Sequence, residues 1–112
     1  MVLTISAIEA AELIASTVVD VIDVRDVEAY CEGHLPGARV VPLDILRTDT
    51  DRELAGKAVL LFVCQRGVRS LNAAKLAERM GYDATIYNLD GGTDAWAREG
   101  FPVATQAQAV AA

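Results

Sequence analysis

Apolar residues along this chain form short continuous runs that alternate with helical stripes. The most uniform run is AVLLFVC at residues 58–64, and VVDVIDVR (18–25) and ATIYNL (84–89) are similar, with many β-branched residues. A shorter run, RVVPL (39–43), contains Pro42, which marks the end of a strand. Short, nearly continuous apolar runs are typical of parallel strands that are covered on both faces.

The helical stripes lie between these runs. Ser6 and Glu9 have the spacing of a capping box at the start of SAIEAAELIA (6–15), and SLNAAKLAERMG (70–81) is amphipathic and ends at a glycine. Shorter helical patterns occupy residues 26–33, 43–54 and 93–100. The residues predicted to pack inward are Ile8, Ala11, Leu13, Ile14, Leu71, Ala74, Leu76, Ala77 and Met80. Strands that alternate with helices predict an α/β domain with a mainly parallel sheet and helices on both faces.

Composition excludes several function classes. The chain has 112 residues, the size of one domain, and 53% of them are hydrophobic, enough for a core without disulfides. A net charge of −6 argues against nucleic acid or an anionic membrane surface as a partner. No apolar run approaches the ~20 residues of a membrane span, and the N-terminus lacks the features of a signal peptide. The predicted compartment is the cytoplasm, and membrane anchoring stays open only for the case that the chain is a fragment of a longer protein.

Cysteine and histidine usage narrows the chemistry further. Two cysteines, Cys31 and Cys64, do not make a disulfide framework, and a single histidine, His34, argues against a structural zinc site. We therefore predict no metal and no cofactor. Residues 1–104 are predicted to form the domain, and residues 105–112, which lack a pattern, are expected to fray.

The segment FVCQRGVRS (62–70) carries the candidate chemistry. Cys64 ends the strongest predicted strand and precedes a predicted helix, so it lies where parallel sheets bind ligands. The helix N-terminus, together with Arg66 and Arg69, favours a thiolate, and Gly67 permits a loop whose N–H groups turn inward around an anion. The alternatives are a buried small hydrophobic side chain for Cys64 and solvated charges for the two arginines.

The segment CQRGVRS (64–70) resembles the active-site loop of rhodanese sulfurtransferases. VIDVRDVEAYCEGHLPGARVVPL (21–43) and NLDGGTDAWAREGFPV (88–103) are similar to two further signatures of that family, in the same order. The resemblance implies a rhodanese-like fold with a five-stranded, mainly parallel sheet. It also implies that Cys64 accepts sulfur from thiosulfate as a persulfide and passes it to cyanide, a thiol or a protein. The substrate-binding loop implied by the resemblance comprises Gln65, Arg66, Gly67, Val68, Arg69 and Ser70.

Loop length bears on the substrate. Four residues separate Cys64 from Arg69, whereas the phosphatases and arsenate reductases related to this family have one more residue in that loop. The shorter loop resembles that of the sulfur-transferring branch of the family, and the basic Arg66 resembles the thiosulfate-using members of that branch. Two alternatives stay open. One is a persulfide carrier or interaction module loaded by a partner protein, and the other is a short-loop phosphatase or arsenate reductase.

For the remaining candidate site residues, the sequence allows a structural role as well as a functional one. Asp23 and Arg25 end a strand at the same sheet edge as Cys64, where they could support the pocket floor or form a structural ion pair. His34 is expected in a structural turn and Trp96 in the core. Cys31 is expected to be a tolerated small residue, with a resolving thiol as the alternative.

Overall fold

A five-stranded sheet forms the centre of the molecule. The computed structural model describes residues 1–105, and the predicted frayed tail lies outside them except for Thr105. The strands are β1 (Val2–Ile5), β2 (Asp20–Asp23), β3 (Arg39–Val40), β4 (Val59–Val63) and β5 (Thr85–Leu89). They pair in the order β1-β5-β4-β2-β3, and every pairing is parallel. The predicted α/β class with a mainly parallel sheet is confirmed.

Helices cover the sheet on both faces, as predicted. They are α1 (Ala7–Ser16), α2 (Val27–Glu32), α3 (Leu43–Thr48), α4 (Thr50–Leu54), α5 (Val68–Arg79) and α6 (Gly92–Arg98). One buried cluster joins Phe62 and Ile22 of the sheet to α3, α4 and α5. A second joins Leu61 and Val63 to α1, α2 and α6. The helices of residues 1–105 are all too short or too polar to span a membrane.

The N-terminal strand β1 has no counterpart among the elements predicted from apolar patterning. It pairs with β5 from Val2↔Ile86 to Ile5↔Leu89 at the edge of the sheet. Its side chains are exposed or only partly buried, and Leu3 is 41% exposed. Backbone pairing with β5, rather than a buried apolar face, therefore defines this strand.

Two helix faces differ from the predictions. Helix α5 begins at Val68, two residues before the predicted start, and it buries the small residues Ser70, Ala73, Ala74 and Ala77. Met80 is 47% exposed and Ile8 of α1 is 50% exposed, so the prediction that they pack inward is wrong. Small side chains let a helix axis approach the sheet closely, which leaves larger apolar residues at the margin of the contact.

Strand register places the functional segment. Asp23 of β2 pairs with Val63 of β4, so the residues that follow both strands emerge side by side at the carboxyl edge of the sheet. On the other side of β4, Phe62 pairs with Asn88 of β5. Cys64 therefore lies between the end of β2 and the end of β5.

Candidate active site

Cys64 lies at the bottom of a loop that connects β4 to α5. The residue is 2% exposed, and its Sγ accepts hydrogen bonds from the N–H groups of Gly67 at 3.1 Å and Ser70 at 3.3 Å. The Ser70 Oγ lies 3.2 Å from the same sulfur. Gly67, the N-cap of α5, has φ 93°, a left-handed conformation that directs its N–H toward the sulfur. The loop thus surrounds the sulfur with donors, the arrangement expected of an anion-binding nest.

The first turn of α6 holds this loop from outside. The N–H of Thr93 donates to the carbonyl of Cys64 at 2.9 Å, and the N–H of Asp94 donates to the carbonyl of Gln65 at 3.1 Å. These bonds satisfy two loop carbonyls away from the sulfur. The contact requires Gly92, because a Cβ there would lie 2.2 Å from the carbonyl oxygen of Cys64.

Burial and hydrogen bonding act on the thiol in opposite directions. Burial raises the pKa of Cys64, because a thiolate is poorly solvated inside the protein. Hydrogen bonds from the Ser70 hydroxyl and from the N–H groups of Ser70, Gly67 and Arg66 lower it, and together they outweigh the burial. The pKa of Cys64 therefore lies below the usual value for a thiol.

We expect the rate of Cys64 alkylation by iodoacetamide to rise with pH through a midpoint below the value of about 8.5 for free cysteine. The experiment uses the Cys31→Ser variant, which leaves Cys64 as the only thiol among the chain's two cysteines. Free cysteine measured in the same buffers is the control. A midpoint at or above that of free cysteine would contradict the lowered pKa.

The two arginines of the loop line a cavity above the sulfur. The cavity has a volume of about 250 Å³ and is lined by Cys64, Gln65, Arg66, Val68 and Arg69. The Arg66 side chain is 82% exposed, and its Nε lies 3.9 Å from a carboxylate oxygen of Asp94. Arg69 is exposed and makes no ion pair within residues 1–105. The cavity is thus locally positive although the chain carries a net charge of −6.

Asp23 and Arg25 form a buried ion pair beside the loop. Arg25 donates to both carboxylate oxygens of Asp23, with the shortest bond at 2.8 Å, and also to the carbonyl of Gly33 at 2.7 Å. Arg25 lines a second cavity of about 280 Å³, which shares Gln65 with the cavity above Cys64. The pair ties β2 to the end of α2, so its contacts support a structural role next to the site rather than a place in the cradle.

Asn88 is a site residue that the motif analysis missed. It is 2% exposed, its Oδ1 accepts the Ser70 hydroxyl at 2.6 Å, and its Nδ2 donates to the carbonyl of Gly67 at 3.2 Å. Asparagine is uncommon inside strands. An asparagine near the carboxyl end of the predicted strand ATIYNL was therefore the available signal.

Two other candidates have structural surroundings. His34 stacks on Tyr30 with ring centroids 3.7 Å apart, and its Nδ1 lies 2.7 Å from the Tyr30 carbonyl. Trp96 is buried and donates its indole N–H to the carbonyl of Pro102 at 2.8 Å. These contacts agree with the expected turn for His34 and the expected core position for Trp96.

The second cysteine lies apart from the cradle. Cys31 is a half-buried free thiol that packs in the cluster with α1, α2 and α6, whereas Cys64 lies in the other cluster. Among residues 1–105, no group of three or more acidic, histidine or cysteine side chains could hold a metal ion.

Comparison with known protein families identifies the domain. The model of the rhodanese-like domain matches residues 6–99 of this chain. The chain belongs to the rhodanese-like domain family. The match includes the strand, the Cys64 loop and the first turn of α6 that together form the cradle.

Solved structures agree with this assignment. A rhodanese-related protein from Thermoplasma volcanium is 25% identical with a TM-score of 0.80, over 93% of this chain and 99% of the other. A rhodanese-like domain protein from Staphylococcus aureus is 28% identical with a TM-score of 0.77, over 93% and 98%. A Rhodopseudomonas palustris protein of unknown function, described as a possible tyrosine phosphatase, is 26% identical with a TM-score of 0.81, over 92% and 85%.

Proposed function

We propose that this rhodanese-like domain is a thiosulfate sulfurtransferase that works through a Cys64 persulfide. The observation that carries the proposal is a buried thiol with a lowered pKa, held by inward N–H groups under a cavity with two arginines. A small anion that carries a sulfur open to attack by a thiolate fits this combination of positive charge and a reactive thiol. The proposed compartment is a reducing cytoplasm, where both cysteines would remain free thiols.

In the first half-reaction, the Cys64 thiolate attacks the outer sulfur of thiosulfate. A new S–S bond forms as the sulfur–sulfur bond of thiosulfate breaks, and sulfite leaves with the electron pair. The N–H groups of Gly67 and Ser70, which already contact Sγ, lie where they can stabilise negative charge on the persulfide. The guanidinium groups of Arg66 and Arg69 would bind the sulfonate oxygens.

In the second half-reaction, a nucleophilic acceptor such as cyanide or a thiolate attacks the terminal sulfur of the persulfide. The bond to the acceptor forms as the S–S bond breaks, and Cys64 recovers its thiolate. A thiol or a protein acceptor would reach the sulfur through the cavity above Cys64, which Gln65 also lines. The neighbouring cavity, which Gln65 also lines, offers further space for the acceptor.

The direct test is the mass of the intact protein after incubation with thiosulfate. We expect the intact protein to gain the mass of one sulfur atom, and proteolytic digestion to locate that sulfur on the peptide that contains Cys64. Addition of cyanide should remove the sulfur and form thiocyanate. The Cys64→Ser variant should neither gain sulfur nor form thiocyanate, whereas Cys31→Ser should behave as the parent chain does. Absence of both the mass gain and thiocyanate in the folded parent chain would refute the proposal.

Replacing Arg66 or Arg69 by glutamine should weaken the use of thiosulfate. Each loss removes a charged donor to the sulfonate, so we expect kcat/KM for thiosulfate to fall about fivefold to thirtyfold. Arg79→Gln is the control, because Arg79 is an exposed arginine at the far end of α5. Equal kinetics for all three variants and the parent chain would exclude sulfonate binding by the loop arginines.

Phosphatase activity is the second candidate, supported by the similarity to the Rhodopseudomonas palustris protein described as a possible tyrosine phosphatase. The same cradle could bind a phosphate, although only four residues separate Cys64 from Arg69. Release of phosphate from an aryl phosphate, or reduction of arsenate, would favour that class. Sulfur loading only from a partner protein, without thiosulfate turnover, would instead indicate a persulfide carrier.

A further inference from the structure

A chain of hydrogen bonds leads from the reactive sulfur to the centre of the sheet. Cys64 Sγ lies 3.2 Å from Ser70 Oγ, and Ser70 Oγ lies 2.6 Å from Asn88 Oδ1. All three residues are no more than 2% exposed. The amide end of Asn88 is fixed by its bond to the Gly67 carbonyl, so Oδ1 points at the hydroxyl.

The Ser70 hydroxyl has one hydrogen and two neighbours that can accept it. When Cys64 is a thiol, the S–H can donate to Ser70 Oγ while the hydroxyl donates to Asn88. When Cys64 is a thiolate, the sulfur becomes a strong acceptor for the same hydroxyl. We propose that Asn88 is a positioning residue that controls how readily Cys64 ionises, by competing with its sulfur for the single hydroxyl hydrogen of Ser70.

Ionisation of Cys64 changes the direction of this hydrogen bond. The S–H proton passes to water, and the Ser70 hydroxyl rotates about its Cβ–Oγ bond without breaking any covalent bond. Its hydrogen then leaves Asn88 Oδ1, a buried acceptor, for Sγ. Leaving a buried acceptor without a donor is unfavourable, so Asn88 opposes the rotation and disfavours the thiolate. Competition from Asn88 would likewise weaken the hydrogen bond from the Ser70 hydroxyl to the sulfur whenever Cys64 is a thiolate during the proposed reaction.

Several charged groups on the surrounding elements also act on the Cys64 sulfur, and the test of the proposed competition keeps them unchanged. The loop and the start of α5 contribute Arg66 and Arg69, and α6 contributes Asp94, which lies near Arg66. The end of β2 contributes the neutralised pair of Asp23 and Arg25, and the turn after β5 contributes the exposed Asp90. None of these groups is replaced, so within each cycle the chains with and without the Ser70 hydroxyl carry the same charged groups.

The test is a double-mutant cycle on the pH midpoint of Cys64 alkylation by iodoacetamide, performed in the Cys31→Ser chain. Ser70→Ala removes the shared hydroxyl, and Asn88→Leu removes the competing acceptor while keeping the number and branching of the non-hydrogen side-chain atoms. We expect Ser70→Ala to raise the midpoint more in the Asn88→Leu chain than in the chain with Asn88, by about 0.5–1 pH unit. An equal or smaller rise would overturn the proposal, because a purely structural role of Asn88 would not depend on the Ser70 hydroxyl.

Asn88→Leu removes both hydrogen bonds of the side chain and could unfold the chain, so a second cycle uses Asn88→Asp. Aspartate also loses the donor to the Gly67 carbonyl, but it keeps the side-chain size and an acceptor for the Ser70 hydroxyl. A carboxylate accepts the hydroxyl more strongly than an amide does, and the sulfur then receives less of it. Ser70→Ala should therefore shift the midpoint less in the Asn88→Asp chain than in the chain with Asn88. An equal or larger shift in this cycle would contradict the proposal even if Asn88→Leu does not fold.

A matched control uses a second asparagine of the chain. Asn72 is an exposed asparagine of α5, two residues after Ser70. Asn72→Leu makes the same chemical change as Asn88→Leu but removes no acceptor from the Ser70 hydroxyl. We therefore expect Ser70→Ala to shift the alkylation midpoint equally with and without Asn72→Leu. A changed shift in this control would show that the coupling is not specific to Asn88 and would count against the proposal.

These cycles are independent of the sulfur donor. Alkylation reports the thiolate whether or not thiosulfate is the substrate, so failure of the proposed sulfur transfer leaves the cycles interpretable. Conversely, if the cycles show no coupling between Ser70 and Asn88, the measurement of the persulfide by mass still tests the proposed sulfur transfer.

Discussion

Gly92→Ala is expected to disrupt the cradle around Cys64 and to destabilise the domain strongly. An added Cβ would lie 2.2 Å from the Cys64 carbonyl oxygen and 2.5 Å from the carbonyl carbon and oxygen of Gln65. These are backbone atoms, so the loop or α6 must move to relieve the overlap. Gly92 also has φ 58°, a left-handed conformation that adds strain for alanine.

The expected loss of unfolding free energy at Gly92 is about 3–5 kcal/mol, in the range of severe steric substitutions. Gly81→Ala provides a matched control. Gly81 has φ 77°, but a Cβ there meets no atom within 4 Å. Its cost should be confined to backbone strain, about 1–2 kcal/mol, with the reactivity of Cys64 unchanged.

Urea unfolding and the alkylation rate of Cys64 would check both variants in the Cys31→Ser chain. In Gly92→Ala we expect a lower unfolding free energy and an alkylation midpoint nearer to that of free cysteine. The second effect follows because moving the loop displaces the N–H groups of Gly67 and Ser70 from the sulfur. Equal stability of the Gly92 and Gly81 variants would show that the close approach of α6 to the loop does not exclude a Cβ at position 92.

Asp23→Leu is expected to destabilise the domain by about 3–5 kcal/mol, because it leaves the charge of Arg25 buried without a partner. Asp23 is fully buried and Arg25 is 6% exposed, and they share several hydrogen bonds. Leucine has the same branching of its side chain but accepts none of these bonds. The end of β2 and the Gly33 carbonyl, which Arg25 also binds, should lose their common anchor.

Glu78→Gln is the control for Asp23→Leu. Glu78 forms an exposed ion pair with the amino group of Met1, and its side chain is 42% exposed. Solvent screens such a pair, so its loss should have little effect. Urea unfolding of both variants measures the contrast, and a loss at Asp23 no greater than at Glu78 would indicate that Arg25 finds solvent or another partner.

Much of this molecule was predictable from local pattern. The runs that became β2, β4 and β5 are apolar because both faces of a central parallel strand are buried, and the Ser6–Glu9 capping box forms as predicted, with bonds of 2.9 and 3.1 Å. Placement of Cys64 at the carboxyl edge followed from the order of strand and helix. The rhodanese-like fold, expected from three ordered motifs, is confirmed by the family match over residues 6–99.

Other features depend on contacts between distant segments. Strand β1 is defined by pairing with β5, near the other end of the chain, as the partners Val2 and Ile86 show, and its own side chains carry little pattern. The buried face of α5 depends on how closely the helix approaches the sheet, so small residues are buried and Met80 is not. Periodicity alone does not specify that distance.

The sequence by itself determined the fold class, the position of Cys64 after a buried strand, and the positive charge of its loop, because each depends on neighbouring residues. Only the tertiary structure decided which donors reach the sulfur and what restrains them. Asn88 is 18 residues from Ser70 in sequence and Gly92 follows a different strand, yet both contact the loop. Hydrogen bonds and steric contacts act over a few ångströms of space, so their partners become known only when the sheet register brings these segments together.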